Sequence, residues 1–150
     1  YFEAQKKKPP ALEKYWLSDD FKQRRDDTWK IVNGEWVYEK GHLALKKVGM
    51  FHTMISLTNH PRDFRARVRY IARDPGRYHS VGVFYDTMDS LEAQAVYTSK
   101  SGKSSAVQAF HRTGGKEIYP QSGIVKRPIK LNEEITLDLA VRGLLRGPAP

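Results

Sequence analysis

The feature that most constrains this chain is a period-two alternation of apolar and polar residues, repeated in short runs. Over residues 63–72, Phe64, Ala66, Val68, Tyr70 and Ala72 fall on one side, and Asp63, Arg65, Arg67, Arg69 and Ile71 on the other. Successive side chains of an extended backbone point to opposite faces, so this spacing predicts a strand with one face buried. Ile135, Leu137, Leu139 and Val141 alternate in the same way with Thr136, Asp138, Ala140 and Arg142. Phe51, Thr53, Ile55 and Leu57 form another face. Residues 79–86 are apolar on both sides, with Val81, Val83 and Tyr85 against Gly82 and Phe84. That pattern suits a central strand covered on both faces. Residues 92–99 and 105–113 are two further candidates.

Turn residues separate these runs. Asn33-Gly34 stands between Trp29-Lys30-Ile31-Val32 and Trp36-Val37-Tyr38, a strong hairpin signal because both residues tolerate positive φ. Lys40-Gly41, Asp74-Pro75-Gly76, Ser101-Gly102-Lys103 and Thr113-Gly114-Gly115 mark further turns. No segment carries a 3.6-residue apolar stripe over three turns; a short helix over 11–17 is the one helical alternative. No internal repeat is present. Short strands at near-regular spacing, with Gly and Pro between them, predict an all-β sandwich or barrel.

Composition narrows the function classes. The length of 150 residues suits one domain, and 39% hydrophobic with 29% charged residues is ordinary for a globular chain. No apolar run is long enough for a membrane helix. With no cysteine, a disulfide framework, a thiolate nucleophile, a zinc finger and an iron–sulfur cluster are all excluded. Lys and Arg number 26 against 17 Asp and Glu, which gives a formal net charge of +9. The first residue is Tyr1, so the chain reads as a processed or trimmed product. Residues 1–14, with Lys6-Lys7-Lys8-Pro9-Pro10, read as a flexible basic arm, either a solvated tether or an anion contact. The expected layout is this arm, a β-sandwich over 15–146 and a Gly-Pro tail over 147–150.

Several segments carry a family resemblance. Asp19-Asp20-Phe21, followed by Trp29-Lys30-Ile31-Val32-Asn33-Gly34-Glu35-Trp36-Val37-Tyr38-Glu39-Lys40-Gly41-His42-Leu43, resembles the opening of concanavalin A-like lectin/glucanase jelly rolls, in which an acidic-Phe strand precedes two Trp-bearing strands. Residues 63–70, 79–86 and 91–96 resemble later strands of the laminin-G-like and 3-keto-disaccharide hydrolase-like members, with His79-Ser80-Val81-Gly82 where those members have Asn-Ser-Gly. The resemblance spans residues 19–142. It implies a jelly-roll sandwich of two antiparallel sheets, either lacking its last strands or closing differently after Val141. It also implies a secreted or periplasmic bacterial protein with a ligand on the concave face.

Motif tests exclude several chemistries. Gly102-Lys103-Ser104 ends like a phosphate-binding loop, but Tyr97 stands where the first glycine is required. No G-x-S-x-G elbow and no H-E-x-x-H pair is present. The five histidines, His42, His52, His60, His79 and His111, lack ligand spacing. Glu92 and Asp86 are the weak candidates for a catalytic carboxylate pair, against a bland role at strand ends. The E-x-D-x-x-E signature of glucanases is absent. Tyr78, Phe84, Tyr97, Phe110 and Tyr119 suit either a sugar-stacking platform or the core, while Trp29 and Trp36 read as core. Arg65, Arg67 and Arg69, with Arg62 and Arg73 nearby, form either a solvated face or an anion-binding stripe. Nucleic acid is disfavoured because the aromatics of that strand, Phe64 and Tyr70, have the buried parity.

The reading that follows is a non-catalytic carbohydrate- or surface-binding module. The alternatives are a hydrolase or lyase acting on 3-keto-glycosides and an anionic-polysaccharide binder working through the Arg stripe. The resemblance places the site on the concave face, with Gln94, Glu92, Ser80, Phe84 and Asp86, and with His79 and Tyr97 at its rim. Gly82 would leave room for a sugar ring beside Phe84. No cofactor is required; a Ca²⁺ ion held by Glu92 or Asp86 stays open. The identity of the sugar and the oligomeric state are not assigned.

Overall fold

The computed structural model describes residues 15–46, 53–73, 78–87 and 92–142. The basic arm, the tail, Phe51 and the Asp74-Pro75-Gly76 turn lie outside the described residues. The chain divides into two compact units, Tyr1–Leu57 and Thr58–Pro150. Both are all-β with antiparallel pairing, and no helix among the described residues is long and apolar enough to cross a membrane.

The N-terminal unit holds β1 (Trp29–Asn33), β2 (Trp36–Glu39), β3 (His42–Leu45) and β4 (Thr53–Ser56). β1 pairs with β4, from Trp29 opposite Ser56 to Asn33 opposite Thr53, with a register shift between Ile31 and Asn33. β2 pairs with β3, Glu39 opposite His42. Lys40 and Gly41 close this hairpin at φ 48° and 77°, the two positive values that a type I′ turn demands. The expected hairpin at Asn33-Gly34 does not form. The Asn33 side-chain carbonyl instead accepts the Thr53 N–H at 2.7 Å, and its backbone carbonyl accepts the Trp36 indole N–H at 2.9 Å. Asn33 is thereby committed to the β1–β4 ladder, and Gly34, at φ 91°, hands the chain to the next pair.

Asp19-Asp20-Phe21, expected as a strand, is a bend. Asp19 Oδ1 accepts the Phe21 N–H at 2.7 Å, and Phe21 sits at φ 55°. A short acidic side chain that bonds the backbone two residues on competes with strand pairing. The second Asp19 oxygen accepts the Trp29 indole N–H at 2.8 Å, with the Arg25 guanidinium 3.7 Å away. The Asp19 side chain is only 4% exposed, so these partners offset the cost of burying a charge. The Phe21 ring closes over Trp29 at 5.6 Å.

The C-terminal unit holds β5 (Phe64–Ile71), β6 (Tyr78–Tyr85), β7 (Ala93–Ser101), β8 (Ser104–Thr113), β9 (Lys116–Ile118), β10 (Ile124–Lys126) and β11 (Glu134–Val141). β6, β7 and β8 are sequential neighbours in a five-stranded sheet. β9 and β10 share the outer edge of β8, opposite residues 111–113 and 106–108 respectively. The expected turns at Gly102 and at Gly114-Gly115 connect β7 to β8 and β8 to β9, all three glycines at positive φ. β5 and β11 form a separate pair, Phe64 opposite Val141 and Ile71 opposite Glu134.

This pair lies on one face of the sheet. Phe64, Ala66, Val68 and Tyr70 are half-buried while Arg65, Arg67, Arg69 and Ile71 are exposed, as the alternation predicts. Leu137, opposite Val68, is 5% exposed. The Phe64 ring meets the Tyr85 ring edge-on at 5.8 Å. Tyr70 hydrogen-bonds Thr98, whose own hydroxyl donates to the Val81 carbonyl at 3.1 Å. With the Thr98 proton committed to Val81, the Tyr70 hydroxyl is the donor of that bond. The side of the sheet that carries Val81, Val83, Tyr85, Val96 and Thr98 thus packs against β5, while Ala93, Ala95, Ala106 and Phe110, between 2% and 8% exposed, lie on the other side.

Candidate ligand-binding face

The register of β6, β7 and β8 fixes what the other side of the sheet carries, because residues opposite each other across antiparallel strands share a face. Phe84, Ala95 and Phe110 form one row across three strands, and Gly82, Tyr97 and Gln108 form the next. Ser80, Ser99 and Ala106 form the third, with Lys126 of β10 at its end. Beyond Phe110, Arg112 stands opposite Glu117 of β9. None of these rows faces β5 or β11.

The rings gather on this face. Phe110 is 5% exposed and touches three neighbours: Phe84 at 5.6 Å, Tyr97 at 5.9 Å and Tyr119 at 5.3 Å between centroids. Phe84 and Phe110 are two strands apart, so they meet only by leaning over Ala95, which is 2% exposed. A larger residue there would hold them apart. The outer members stay accessible, Phe84 at 38% and Tyr119 at 44%. The cluster is thus a buried ring flanked by exposed ones.

Polar groups border the rings. The Tyr97 hydroxyl donates to Gln108 Oε1 at 2.6 Å. This orients the amide so that Gln108 keeps its N–H donors for another partner, while the Tyr97 oxygen keeps acceptor capacity. Arg112 and Glu117 pair at 2.7 Å. Burial raises the Tyr97 phenol above its ordinary pKa, helped by Tyr119 and by the negative charge of Glu117. Burial raises the Tyr119 phenol too, with Glu117 adding to the rise and Arg112 opposing it. Both phenols are therefore neutral hydroxyls at ordinary pH.

The sequence candidates divide between locations. Ser80, Phe84 and Tyr97 share the aromatic face. Gln94 pairs with Tyr85 and His79 with Lys100, which puts both on the opposite, core-facing side. The expectation that Gln94 joins Phe84 needed a register one residue away. Asp86 lies past the end of β6 at φ 52°, where its backbone N–H donates to His60 Nε2 at 3.2 Å and its carboxylate stands 3.3 Å from the same nitrogen. Glu92 precedes β7 and accepts the Gly114 N–H at 2.8 Å. Each carboxylate thus secures a turn at one end of the sheet. Among the described residues no three His, Asp or Glu side chains gather into a cation site. Gly82 is required for a reason other than ligand space. A Cβ there would meet Tyr97 Cβ at 2.3 Å and the Val96 carbonyl at 2.4 Å.

The Arg stripe is present on β5, with Arg67 held by Asp138 through bonds of 2.6 and 3.2 Å. Two open hollows of about 400 Å³ each occur in the N-terminal unit, one walled mainly by polar and charged side chains such as the Asp20–Lys22 pair, the other by Trp29, Ile31 and Leu57 together with Arg24, Asp26 and Lys30. The second holds a single aromatic ring, Trp29, against the four that gather on the sheet face. Gln108, Arg112 and Glu117 went unnoticed in the sequence. The run over 105–113 exposes the alternation of Gln108 and Arg112, but only the β7–β8 and β8–β9 registers place Gln108 beside Tyr97 and Glu117 beside Arg112. Comparisons with family models, with curated proteins and with solved structures find no match to this chain.

Proposed function

We propose that the chain is a non-catalytic carbohydrate-binding module of the concanavalin A-like jelly-roll type, and that it binds through the aromatic face of its five-stranded sheet. The observation that supports this most is the Phe84–Phe110–Tyr119 row, bordered by the Tyr97–Gln108 pair. Sugar rings present apolar C–H faces that stack on aromatic rings, and hydroxyls that need both donors and acceptors. The row supplies the first, and Gln108 with Tyr97 supplies the second. Turnover finds less support, because Asp86 and Glu92 are tied to His60 and Gly114. A secreted or periplasmic location belongs to the same reading.

The test is titration with a panel of oligosaccharides, comparing the unmodified chain with Phe84→Ala and Tyr119→Ala. Both rings are exposed enough for the fold to survive their loss. Each substitution should weaken binding about tenfold, the equivalent of ~1.4 kcal/mol. Unchanged affinity in both variants would place the site elsewhere.

A further inference from the structure

We infer that the aromatic face selects sugars that carry a carboxylate, and that Lys126 of β10 is the residue that recognises it. The inference rests on the carbohydrate reading above and adds to it the chemical class of the sugar.

Two adjoining rows of the face carry the argument. Gly82, Tyr97, Gln108 and Ile124 form one, and Ser80, Ser99, Ala106 and Lys126 form the next. They follow the Phe84–Phe110 row on the side away from Glu117. Ile124 stands opposite Gln108, so Lys126 is the diagonal neighbour of Gln108, roughly 7–8 Å away between Cα atoms and within reach of a long side chain. Ala106 and Ile124 flank its base and give the methylene stem apolar surface to lie along.

Hydrogen-bond donors converge on this part of the face. The Tyr97 hydroxyl donates to Gln108 Oε1 at 2.6 Å, which leaves the two amide N–H groups for a ligand. Ser80 donates to Ser99 Oγ at 3.4 Å, which leaves the Ser99 proton to donate in turn. Among the described residues no hydrogen bond or ion pair engages the Lys126 ammonium. Neither row holds a carboxylate. A sugar stacked on the rings of the neighbouring row therefore meets donors and one unmatched cation. A carboxylate has two oxygens and only accepts, so one oxygen suits a Gln108 N–H and the other the ammonium, a charge-assisted bond.

Glu117 does not cancel this attraction. Six residues of β8 separate its row from that of Lys126, roughly 20 Å of strand against a screening length of about 8 Å at physiological salt. The net charge of +9 draws acidic polymers to the chain without choosing a face. Lys126 supplies the choice.

The experiment compares oligogalacturonate and oligoglucuronate with the matching neutral oligosaccharides of galactose and glucose. At about 50 mM salt the unmodified chain should bind an acidic member about tenfold more tightly than its neutral counterpart, and most of that advantage should be gone at about 300 mM. Lys126 is exposed, so Lys126→Gln should keep the fold. It should abolish the preference and leave neutral affinity within about twofold. Arg69→Gln removes the same charge from the exposed side of β5 and should leave the preference intact. Equal affinity of the unmodified chain for acidic and neutral members would overturn the inference and leave the carbohydrate reading standing. So would an unchanged preference in Lys126→Gln. An equal loss in Lys126→Gln and Arg69→Gln would overturn it as well, because net charge alone would then account for the preference. Failure of every sugar to bind the unmodified chain would instead remove the carbohydrate reading, and this inference with it.

Discussion

At Gly82 a single missing side chain decides how two strands approach. A methyl group there would sit 2.4 Å from the Val96 carbonyl and 2.3 Å from Tyr97 Cβ, both far inside contact distance. Backbone cannot swing aside as a side-chain tip can, so β6 would have to move off β7. Gly82→Ala should therefore cost about 1–3 kcal/mol, seen as a lower urea midpoint. It should also weaken any ligand held by Phe84 and Tyr97. Full stability in the variant would mean that the close approach is not part of the folded state. Asp19 makes the same point in the N-terminal unit, where one carboxylate joins the Phe21 bend to the Trp29 indole.

At the scale of the element, parity along β5 separates two substitutions that a composition argument would treat alike. Val68 faces the core opposite Leu137, whereas Arg67 faces outward and pairs with Asp138. Val68→Asp should unfold the C-terminal unit by burying an unmatched charge. Arg67→Ala should cost about 0.5 kcal/mol or less, as exposed ion pairs contribute little. Denaturant titration of both variants checks the order, and a reversed order would mean the assigned faces are exchanged. The faces of β5 and β11 were legible in the sequence because the side-chain period is two and depends only on local order. Ile55 and Leu57, by contrast, stay exposed, and β6, expected as a central strand covered on both faces, is an edge strand with Phe84 exposed. The Gly102 and Gly114-Gly115 turns were legible for an equally local reason. Pairing was not legible. Asn33-Gly34 has the composition of a hairpin, yet the Asn33 side chain is drawn to Thr53, a partner distant in sequence. The separation of Gln94 from Phe84 likewise follows from register, which neighbouring residues along one strand do not encode. The candidate site was thus readable as a set of aromatic residues, but its polar border of Gln108, Arg112 and Glu117 emerges only from the pairing of three strands.

For the whole molecule, the buried phenols give a shared alkaline response. Burial pushes Tyr70, Tyr85 and Tyr97 above the ordinary value of 10.0, with the Thr98 hydrogen bond opposing part of the rise at Tyr70. A raised pKa means that the folded state holds the proton more tightly than the unfolded state. Stability from these groups is therefore fully present below about pH 10 and falls as pH climbs through the higher folded values. Thermal midpoints recorded across that range should be level at first and then decline, and a rise above pH 10 would contradict the burial of these hydroxyls. The functional claim concerns the opposite side of the same sheet. Its most direct test is amide chemical-shift mapping of the intact chain with an oligosaccharide from the panel. Perturbations should cluster on Gly82, Phe84, Tyr97, Gln108, Phe110 and Tyr119 and leave Arg65, Arg67 and Arg69 unmoved. Perturbations confined to the Arg face of β5, or none with any sugar, would contradict the account.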